Sequence, residues 1–369
     1  MVTAILSGSD DGRHFARAWL EVDLAAVRRN AVAIAAHAGV PLLPMVKADA
    51  YGLGAVEVAR SLEPLEPWGY GVATVVEGVE LRQEGIDRPI VVFTPTLVQE
   101  LDAMRVARLT PALASADAVG AWKMYGLPYH LSVDTGMSRA GVSWRELSGL
   151  AEAVAAHPPE GAFTHFHSAQ LSDDSMSAQE GRFDEAVGLL PERPRLLHTE
   201  ASAAVVRNGG SRWNMVRPGI FLYGVSTVAD AGIKPEPVVH LRGRVVETRW
   251  LEPGDTVSYD ATFRTSSRTR IATIALGYAD GYPRSLGNAG EVFLRGRRVP
   301  VAGRVTMDMI MVDATETGCE VGDTATLIGR ADEGGEIITV ADVAARATMS
   351  PYELLTGFRG RIARIYSDE

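Results

Sequence analysis

The chain has 369 residues, enough for two domains, and 46% of them are hydrophobic against 22% charged, as in an ordinary globular protein. Its formal net charge of −10 argues against nucleic acid or an anionic membrane surface as the main partner. The single cysteine, Cys319, excludes an intrachain disulfide, and no apolar run is long enough to cross a bilayer. Because residues 1–14 also lack the pattern of a secretory signal, we expect a cytoplasmic protein.

The first two thirds of the chain alternate short apolar runs with stretches of helical spacing. A helix is predicted over Asp23–His37, ahead of the first strand. Eight strand-like runs follow: Leu42–Val46, Gly69–Thr74, Ile90–Thr94, Pro111–Ala114, His130–Asp134, Ala162–Phe166, Leu196–Thr199 and Met215–Ile220. Helical stretches between them include Gly54–Leu62, Leu97–Leu109, Ser143–Ala156 and Ala178–Leu190. This alternation predicts a parallel (β/α)8 barrel over residues 15–237, with a doubly wound open sheet as the alternative.

The pattern changes near Pro235-Glu236-Pro237, where apolar residues begin to alternate with a period of two. The predicted strands are Val245–Trp250, Ile271–Ala275, Val292–Leu294, Met309–Val312 and Thr324–Ile328. They indicate a mainly antiparallel β domain over residues 238–369, with residues 1–14 as a candidate addition. Two short helices are predicted near its end, Val340–Ala347 and one that Ser350 caps ahead of Pro351 and Glu353.

Lys47 ends the first predicted strand and precedes the turn-forming segment Ala48-Asp49-Ala50-Tyr51-Gly52. A lysine at a strand end, against an apolar wall, loses its charge more easily than a solvated lysine, because burial disfavours the charged amine. It can then act as an amine nucleophile or as a base. On these residues alone, an ordinary surface lysine is the alternative interpretation.

The ends of the last two predicted barrel strands have features of an anion site. In such barrels the active site lies at the C-terminal ends of the strands, and the loops after strands seven and eight favour phosphate. Ser202 follows strand seven and opens a run of small residues where a helix N-terminus presents amides. Strand eight ends in Arg217-Pro218-Gly219-Ile220, and Gly219 lets the backbone approach a ligand closely. Taken alone, a serine before alanines such as Ser202 is usually just a helix cap.

The segment from Lys47 to Gly52 resembles the pyridoxal-phosphate lysine signature of the alanine racemases, a fold-type-III family. Six further segments match motifs of that family in the family's order: Asp134–Arg139, Thr164–Phe166, Val216–Gly224, Val257–Thr262, Gly277–Tyr282 and Gly303–Asp308. The resemblance covers about Phe15 to Tyr366. It implies a barrel followed by a β domain, pyridoxal 5'-phosphate as the cofactor, and racemisation of a small amino acid, alanine by default. No metal site is expected.

The resemblance also implies roles for individual residues. Lys47 would bind the cofactor and act as one catalytic base, with Tyr259 as the second. Two bases on opposite faces of the Cα remove and return a proton without any need to flip the substrate. Arg139 and Met307 would bind the substrate. The remaining implied contacts to the cofactor are Tyr51, His165, Ser202, Arg217, Gly219, Ile220 and Tyr352, supported by His198, Tyr278 and Asp308.

The implied assembly is an obligatory homodimer, because Tyr259 and Met307 reach the active site of the partner subunit in that family. His198 would orient Arg217, which would hydrogen-bond the pyridine nitrogen of the cofactor. His165 would lie against the pyridine ring. Arginine does not release its proton in proteins, so the ring nitrogen would stay unprotonated and withdraw electrons less strongly.

Several positions depart from the usual family pattern. Ser132 stands where many members have a lysine, often carbamylated, that holds the arginine matching Arg139. The other departures are Ser138 and Asp260 at glycine positions, Ala201 at an asparagine, and His167 and Gln170 where a small residue and an acid are commoner. Because a buried cation rarely stays unpaired, we expect chloride, or a water that bridges to a carboxylate, beside Arg139.

Three alternative functions stay open from the sequence. A racemase for another small amino acid such as serine, in specialised metabolism or antibiotic resistance, is the nearest. A fold-type-III decarboxylase would use a cysteine of the partner as a key acid, which Cys319 in an acidic turn and the presence of Tyr259 disfavour. Non-catalytic cofactor-binding relatives have a single domain and lack the β half, so Tyr259 argues against this class.

Overall fold

The computed structural model describes residues 16–228, 232–331, 335–358 and 360–368, and they divide into two units. The barrel unit comprises residues 27–236, and the β unit combines the described residues up to 26 with those from 237 onward. The β unit begins with strand β1 (Ala18–Asp23), and helix α1 (Leu24–Ala38) leads into the barrel unit. In the part of the chain that is described, no helix is long and apolar enough to span a membrane.

Short parallel strands form the sheet of the barrel unit in the order β2-β3-β4-β5-β7-β8, with β6 paired to β5. They are β2 (Tyr70–Val72), β3 (Ile90–Val92), β4 (Thr110–Leu113), β5 (His130–Asp134), β6 (Val142–Ser143), β7 (Gly161–Phe163) and β8 (Leu196–His198). The helices after α1 are α2 (Ala55–Leu62), α3 (Val75–Gln83), α4 (Leu101–Val106), α5 (Ala116–Lys123), α6 (Ala151–Ala156), α7 (Ser175–Gly188) and α8 (Ser202–Asn208). The strands read as continuous apolar runs because both of their faces are buried.

Two segments without regular strand assignment close the ring between β8 and β2. They are residues 42–46 and 215–219, where the first and eighth barrel strands are predicted. Parallel bridges join Leu42 to Val216 and Met45 to Gly71. Met45 N also donates a hydrogen bond to Pro218 O at 2.8 Å. The (β/α)8 prediction is therefore confirmed, and the doubly wound open sheet is wrong.

The long strand β9 (Val239–Leu251) organises the β unit and pairs antiparallel with three other strands. The remaining strands are β10 (Thr256–Val257), β11 (Phe263–Arg264), β12 (Thr269–Ile274), β13 (Glu291–Leu294), β14 (Arg297–Pro300), β15 (Ile310–Asp313), β16 (Thr324–Arg330), β17 (Ile337–Ile338) and β18 (Ala363–Ser367). Helices α9 (Val340–Ala347) and α10 (Pro351–Thr356) follow the predicted pattern, and the Ser350 side chain caps α10 by accepting from Tyr352 N.

Strand β1 is absent from the sequence prediction. It pairs antiparallel with β9 and parallel with β18, so its partners are residues from 239 onward, far along the chain. Residues 18–23 thus belong to the sheet of the β unit, although the sequence analysis includes them in the barrel domain. The predicted domain limits otherwise stay a prediction, and the candidate addition of residues 1–14 lies outside the described residues.

Candidate active site

Lys47 ends the first barrel segment and opens a turn whose backbone is left-handed. Ala48–Tyr51 have φ between 50° and 59°, a conformation that costs an L-residue roughly 1–2 kcal/mol. Ala50 N donates to Val46 O at 2.8 Å, and the side chains of Ala50 and Tyr51 are buried. The surrounding contacts therefore hold Lys47 on a backbone that local propensity alone would not select.

Glu77 supports this turn from the start of helix α3. It forms a capping box with Thr74, whose Oγ1 accepts from Glu77 N at 3.3 Å, while Glu77 Oε2 accepts from Ala73 N at 2.7 Å. The other carboxylate oxygen accepts from Ala48 N at 2.8 Å. Glu77 is not among the residues predicted from the sequence, although the spacing from Thr74 to Glu77 is that of a capping box.

The environment of Lys47 favours its neutral amine. Burial lowers the pKa of Lys47, and the charge of Arg139 lowers it further, whereas Glu77 acts in the opposite direction. The sequence contains only two other lysines, Lys123 and Lys234, and both are exposed. Among the lysines of this chain, Lys47 is thus the one placed to act as a nucleophile or base.

Arg217 lies in the barrel interior with 3% of its surface exposed. Its guanidinium donates to Thr164 O at 2.7 Å, to Thr199 O at 3.1 Å and to His198 Nδ1 at 2.8 Å. The Phe163 ring lies 5.4 Å from the guanidinium carbon. Burial lowers the pKa of Arg217 to about 9, so the group remains a cation at neutral pH and can only donate hydrogen bonds.

Ser202, Gly219 and Tyr51 converge in the barrel unit. Ser202 Oγ accepts from Gly219 N at 2.9 Å and from Phe221 N at 3.3 Å. A Cβ built on Gly219 would lie only 2.3 Å from Tyr51 Oη, so this position has room for glycine alone. Ile220 follows and is buried. The result is a small cradle of amide and hydroxyl groups, the chemistry that holds a phosphate.

Two further predicted residues, His165 and Arg139, belong to the same unit. His165 is half-buried, and burial together with the charge of Arg217 lowers its pKa to about 3, so its ring is neutral. Arg139 is exposed and follows Ser138, which has φ 56°. The premise that Arg139 is a buried cation, on which the expectation of chloride rests in the sequence analysis, is therefore wrong for the described chain. Within the described ranges no carboxylate forms an ion pair with Arg139. Ser132 is buried in β5.

The departures at Ala201 and His167 change local contacts only. Ala201 precedes helix α8 and provides no side-chain cap, because its methyl group cannot accept a hydrogen bond. His167 is exposed, and its Nδ1 lies 2.7 Å from Ser168 Oγ. Gln170 is exposed as well.

Tyr259 and Met307 lie on adjoining turns of the β unit, with 68% and 52% of their surfaces exposed. Ser258 Oγ donates to Arg304 O at 2.8 Å, which joins the two turns. Asp260, at φ 61°, also forms an ion pair with Arg304, at 3.3 Å. Aspartate is among the few residues that adopt this backbone region readily, so it can replace the usual glycine.

The other predicted residues of the β unit are Tyr278, Asp308 and Tyr352. Tyr278 N donates to Thr306 O at 3.0 Å, next to Met307. Asp308 is exposed and pairs with Arg361 at 2.8 Å. Tyr352 lies in the first turn of α10 and is 40% exposed.

Both parts of the chain match known protein domains. Residues 22–227 match the model of the alanine racemase N-terminal domain, and residues 238–366 match that of the C-terminal domain. The chain belongs to the alanine racemase family. It is 38% identical over 367 residues to the alanine racemase of Geobacter sulfurreducens, an alignment that covers 94% of this chain and 96% of that protein.

Solved structures of alanine racemases agree with the family assignment. The enzyme from Bacillus anthracis with bound L-Ala-P has a TM-score of 0.88 and 32% identity, with 96% of each chain covered. The enzyme from Bartonella henselae, with covalently bound pyridoxal phosphate, has a TM-score of 0.87 and 28% identity, with 95% of this chain and all of that chain (100%) covered. The family is pyridoxal-phosphate dependent, so this alanine racemase homologue is an isomerase of that class.

Proposed function

We propose that the protein interconverts L- and D-alanine with pyridoxal 5'-phosphate held on Lys47. The observation that carries this proposal is the arrangement around Tyr51. Tyr51 belongs to the left-handed turn that Lys47 opens, and its hydroxyl group meets the backbone at Gly219. Lys47, whose amine has a lowered pKa, and Tyr51, which lies against the cradle that fits a phosphate, thus belong to the same short segment. Ser202, Gly219 and Ile220 of the barrel unit would hold the phosphate, and the cofactor role of Tyr352 stays a prediction.

The bound cofactor supplies an electron sink that stabilises the negative charge left when the Cα loses its proton. Arg217 would donate to the pyridine nitrogen. As a cation that only donates, Arg217 would keep that nitrogen unprotonated, which limits the electron withdrawal. His165, with its neutral ring, would lie against the pyridine, and His198 would orient Arg217.

Lys47 and Tyr259 of the partner subunit are proposed as the two bases. A base on each face of the Cα lets one remove the proton while the other delivers one. The large exposed fractions of Tyr259 and Met307 in the single chain support this assignment, because both side chains are available to a second copy. The proposed assembly is therefore a homodimer with composite sites, in which Met307 and Arg139 bind the substrate.

Isotope effects measured in both directions test the two-base proposal. Tyr259→Phe removes the hydroxyl group and leaves the ring. We expect the variant to lose rate in both directions. Its substrate deuterium isotope effect should be larger in the direction in which Tyr259 removes the proton in the unmodified enzyme. Equal rates to the unmodified enzyme in both directions would make Tyr259 a structural residue and remove the proposal.

Chloride beside Arg139 is a further part of the proposal. Its support is Ser132, which cannot form the carbamate that many family members have, together with the lack of a carboxylate partner for Arg139 among the described residues.

The cytoplasmic location is also proposed, on the basis of the free, buried Cys319. The positions that depart from the family pattern leave racemisation of serine instead of alanine as the alternative function. Chiral analysis of a panel of L-amino acids after incubation with enzyme and cofactor distinguishes the two substrates.

A further inference from the structure

His130 is a fully buried residue of β5 that the function proposed above does not use. Its Nδ1 lies 2.9 Å from Nε2 of His198. His198 Nδ1 in turn lies 2.8 Å from the Arg217 guanidinium. His198 is also completely buried. The three side chains therefore form a continuous hydrogen-bonded series inside the barrel, which ends at Arg217.

The positions of the protons in this series follow from the chemistry of arginine. Arg217 can only donate, so His198 Nδ1 must accept and carries no proton. Burial lowers the pKa of both histidines, to about 3 for His130, so neither ring is a cation. The neutral His198 then carries its proton on Nε2 and donates it to His130 Nδ1. The proton of His130 consequently lies on Nε2.

The packing around His130 gives this side chain a single place. A Cβ built on Gly161 would lie 2.8 Å from three atoms of the His130 ring, so only glycine leaves room for it. The Trp68 ring lies 5.6 Å away, measured between centroids. His130 Nε2 is buried and has no hydrogen-bond partner in the described part of the chain. A buried N–H without an acceptor is unfavourable, and an apolar residue would avoid it.

The unfavourable burial of His130 Nε2–H is explained if the other ring nitrogen, Nδ1, has to accept a hydrogen bond from His198. We propose that His130 is a positioning residue, which accepts the Nε2 proton of His198, holds the His198 ring with Nδ1 towards Arg217 and so aims the Arg217 guanidinium. The tautomer of a histidine is set by the hydrogen bond that its second nitrogen makes. Aiming Arg217 at the pyridine nitrogen rests on the proposed function, whereas the tautomer of His198 does not.

Nitrogen NMR of the protein with 15N-labelled histidine tests the first part directly. His130→Asn and His198→Asn spectra assign the two signals. In the unmodified protein, with and without pyridoxal phosphate, we expect both rings to be neutral and protonated at Nε2. An Nδ1–H tautomer or a charged ring at His198 would overturn the proposal. A protein that shows the expected tautomers but binds no pyridoxal phosphate would refute the proposed function alone.

Two variants test the second part. In His130→Asn the side-chain oxygen can still accept from His198 Nε2, whereas His130→Leu has no acceptor. We expect His130→Leu to shift the His198 Nε2 signal, which loses its hydrogen-bond acceptor, to shift the visible absorption band of the bound cofactor and to lower kcat roughly tenfold or more, the effect of one unsatisfied buried donor. His130→Asn should remain close to the unmodified enzyme in all three. If the two variants lose the same activity and give the same His198 Nε2 signal, His130 has only a packing role.

Discussion

Arg217 is a buried cation whose hydrogen-bond acceptors are backbone carbonyls and a histidine ring. Burial lowers the pKa of Arg217, and the negative charge of Glu200 acts in the opposite direction. Glu200 is itself fully buried, and Asn208 Nδ2 donates to it at 2.7 Å. The dipoles of the backbone carbonyls and the carboxylate of Glu200, which itself accepts from neutral donors, therefore replace a direct ion pair to Arg217. The guanidinium keeps N–H donors for a ligand.

Lys47 is expected to be the residue that carries the cofactor. Borohydride reduction of the holoenzyme, followed by peptide mapping, should place the pyridoxyl mass on Lys47. The other two lysines are natural controls, because Lys123 and Lys234 are exposed and should remain unmodified. Label on either of them, with Lys47 free, would contradict the assignment.

Gly219→Ala is expected to weaken cofactor binding. The new Cβ would lie 2.3 Å from Tyr51 Oη and 3.0 Å from the ring carbon that bears it. Overpacking of this kind costs roughly 1–3 kcal/mol, so the Kd for pyridoxal phosphate should rise about fivefold or more and the Tm should fall. Spectroscopic titration of the apoenzyme measures the first effect.

A double variant separates this clash from other effects. Tyr51→Phe removes the Oη that the new Cβ meets, so Gly219→Ala should be less harmful in the Tyr51→Phe background. A coupling free energy near zero in this double-mutant cycle would show that the two positions do not press on each other.

Chloride should affect the substrate affinity if it replaces the missing carbamate beside Arg139. At constant ionic strength, exchange of chloride for a large organic anion should raise the KM for alanine. Ser132→Lys should make the KM less sensitive to chloride, because it offers a lysine that can be carbamylated. A KM that does not respond to chloride in the unmodified enzyme would rule out the anion.

At the scale of secondary-structure elements, the N-terminus of α3 and the turn after Lys47 share one carboxylate. Glu77→Ala removes the acceptor of both Ala73 N and Ala48 N, so we expect a loss of about 1–2 kcal/mol in the free energy of unfolding. The charge of Glu77 raises the pKa of Lys47, and its removal should lower that pKa further. The apoenzyme should then react with pyridoxal phosphate at lower pH, since more of the amine is neutral.

The matched control for this prediction lies in the β unit. Helix α9 begins with a second capping box, in which Thr339 Oγ1 accepts from Asp342 N at 3.0 Å. Asp342→Ala should cost about 1 kcal/mol of stability and leave the pH dependence of Lys47 unchanged. If both variants shift this pH dependence equally, the change reflects general destabilisation.

At the scale of the whole molecule, activity should need two copies of the chain. Lys47→Ala and Tyr259→Ala proteins should each be inactive as homodimers. After mixing in equal amounts and exchange of subunits, half of the dimers are mixed and each has one intact site, so about a quarter of full activity should return. Native mass spectrometry verifies the exchange, and verified mixed dimers without activity would mean that each chain holds a complete site.

The barrel architecture could be predicted from the sequence because its signal is local. Apolar runs such as Ile90–Val92 alternate with helical spacing, and helix α9 has the predicted limits. Lys47, Ser202 and Gly219 could also be singled out, since a barrel brings the ends of its strands to one face whatever the details of packing. Helices with weak periodicity were less predictable: the range Ser143–Ala156 starts at the last residue of β6 and contains only a brief helix, α6.

The tertiary structure alone decided the features that join distant parts of the chain. Strand β1 is held in the sheet by its pairing with β9 and β18, and no pattern within residues 18–23 predicts those partners. Ala48–Tyr51 adopt left-handed backbone against their local preference, because burial and Glu77 hold them. His130 reads as one more residue of an apolar strand until barrel closure brings it against His198. Such contacts depend on which residues meet in space, and local periodicity carries no information about that.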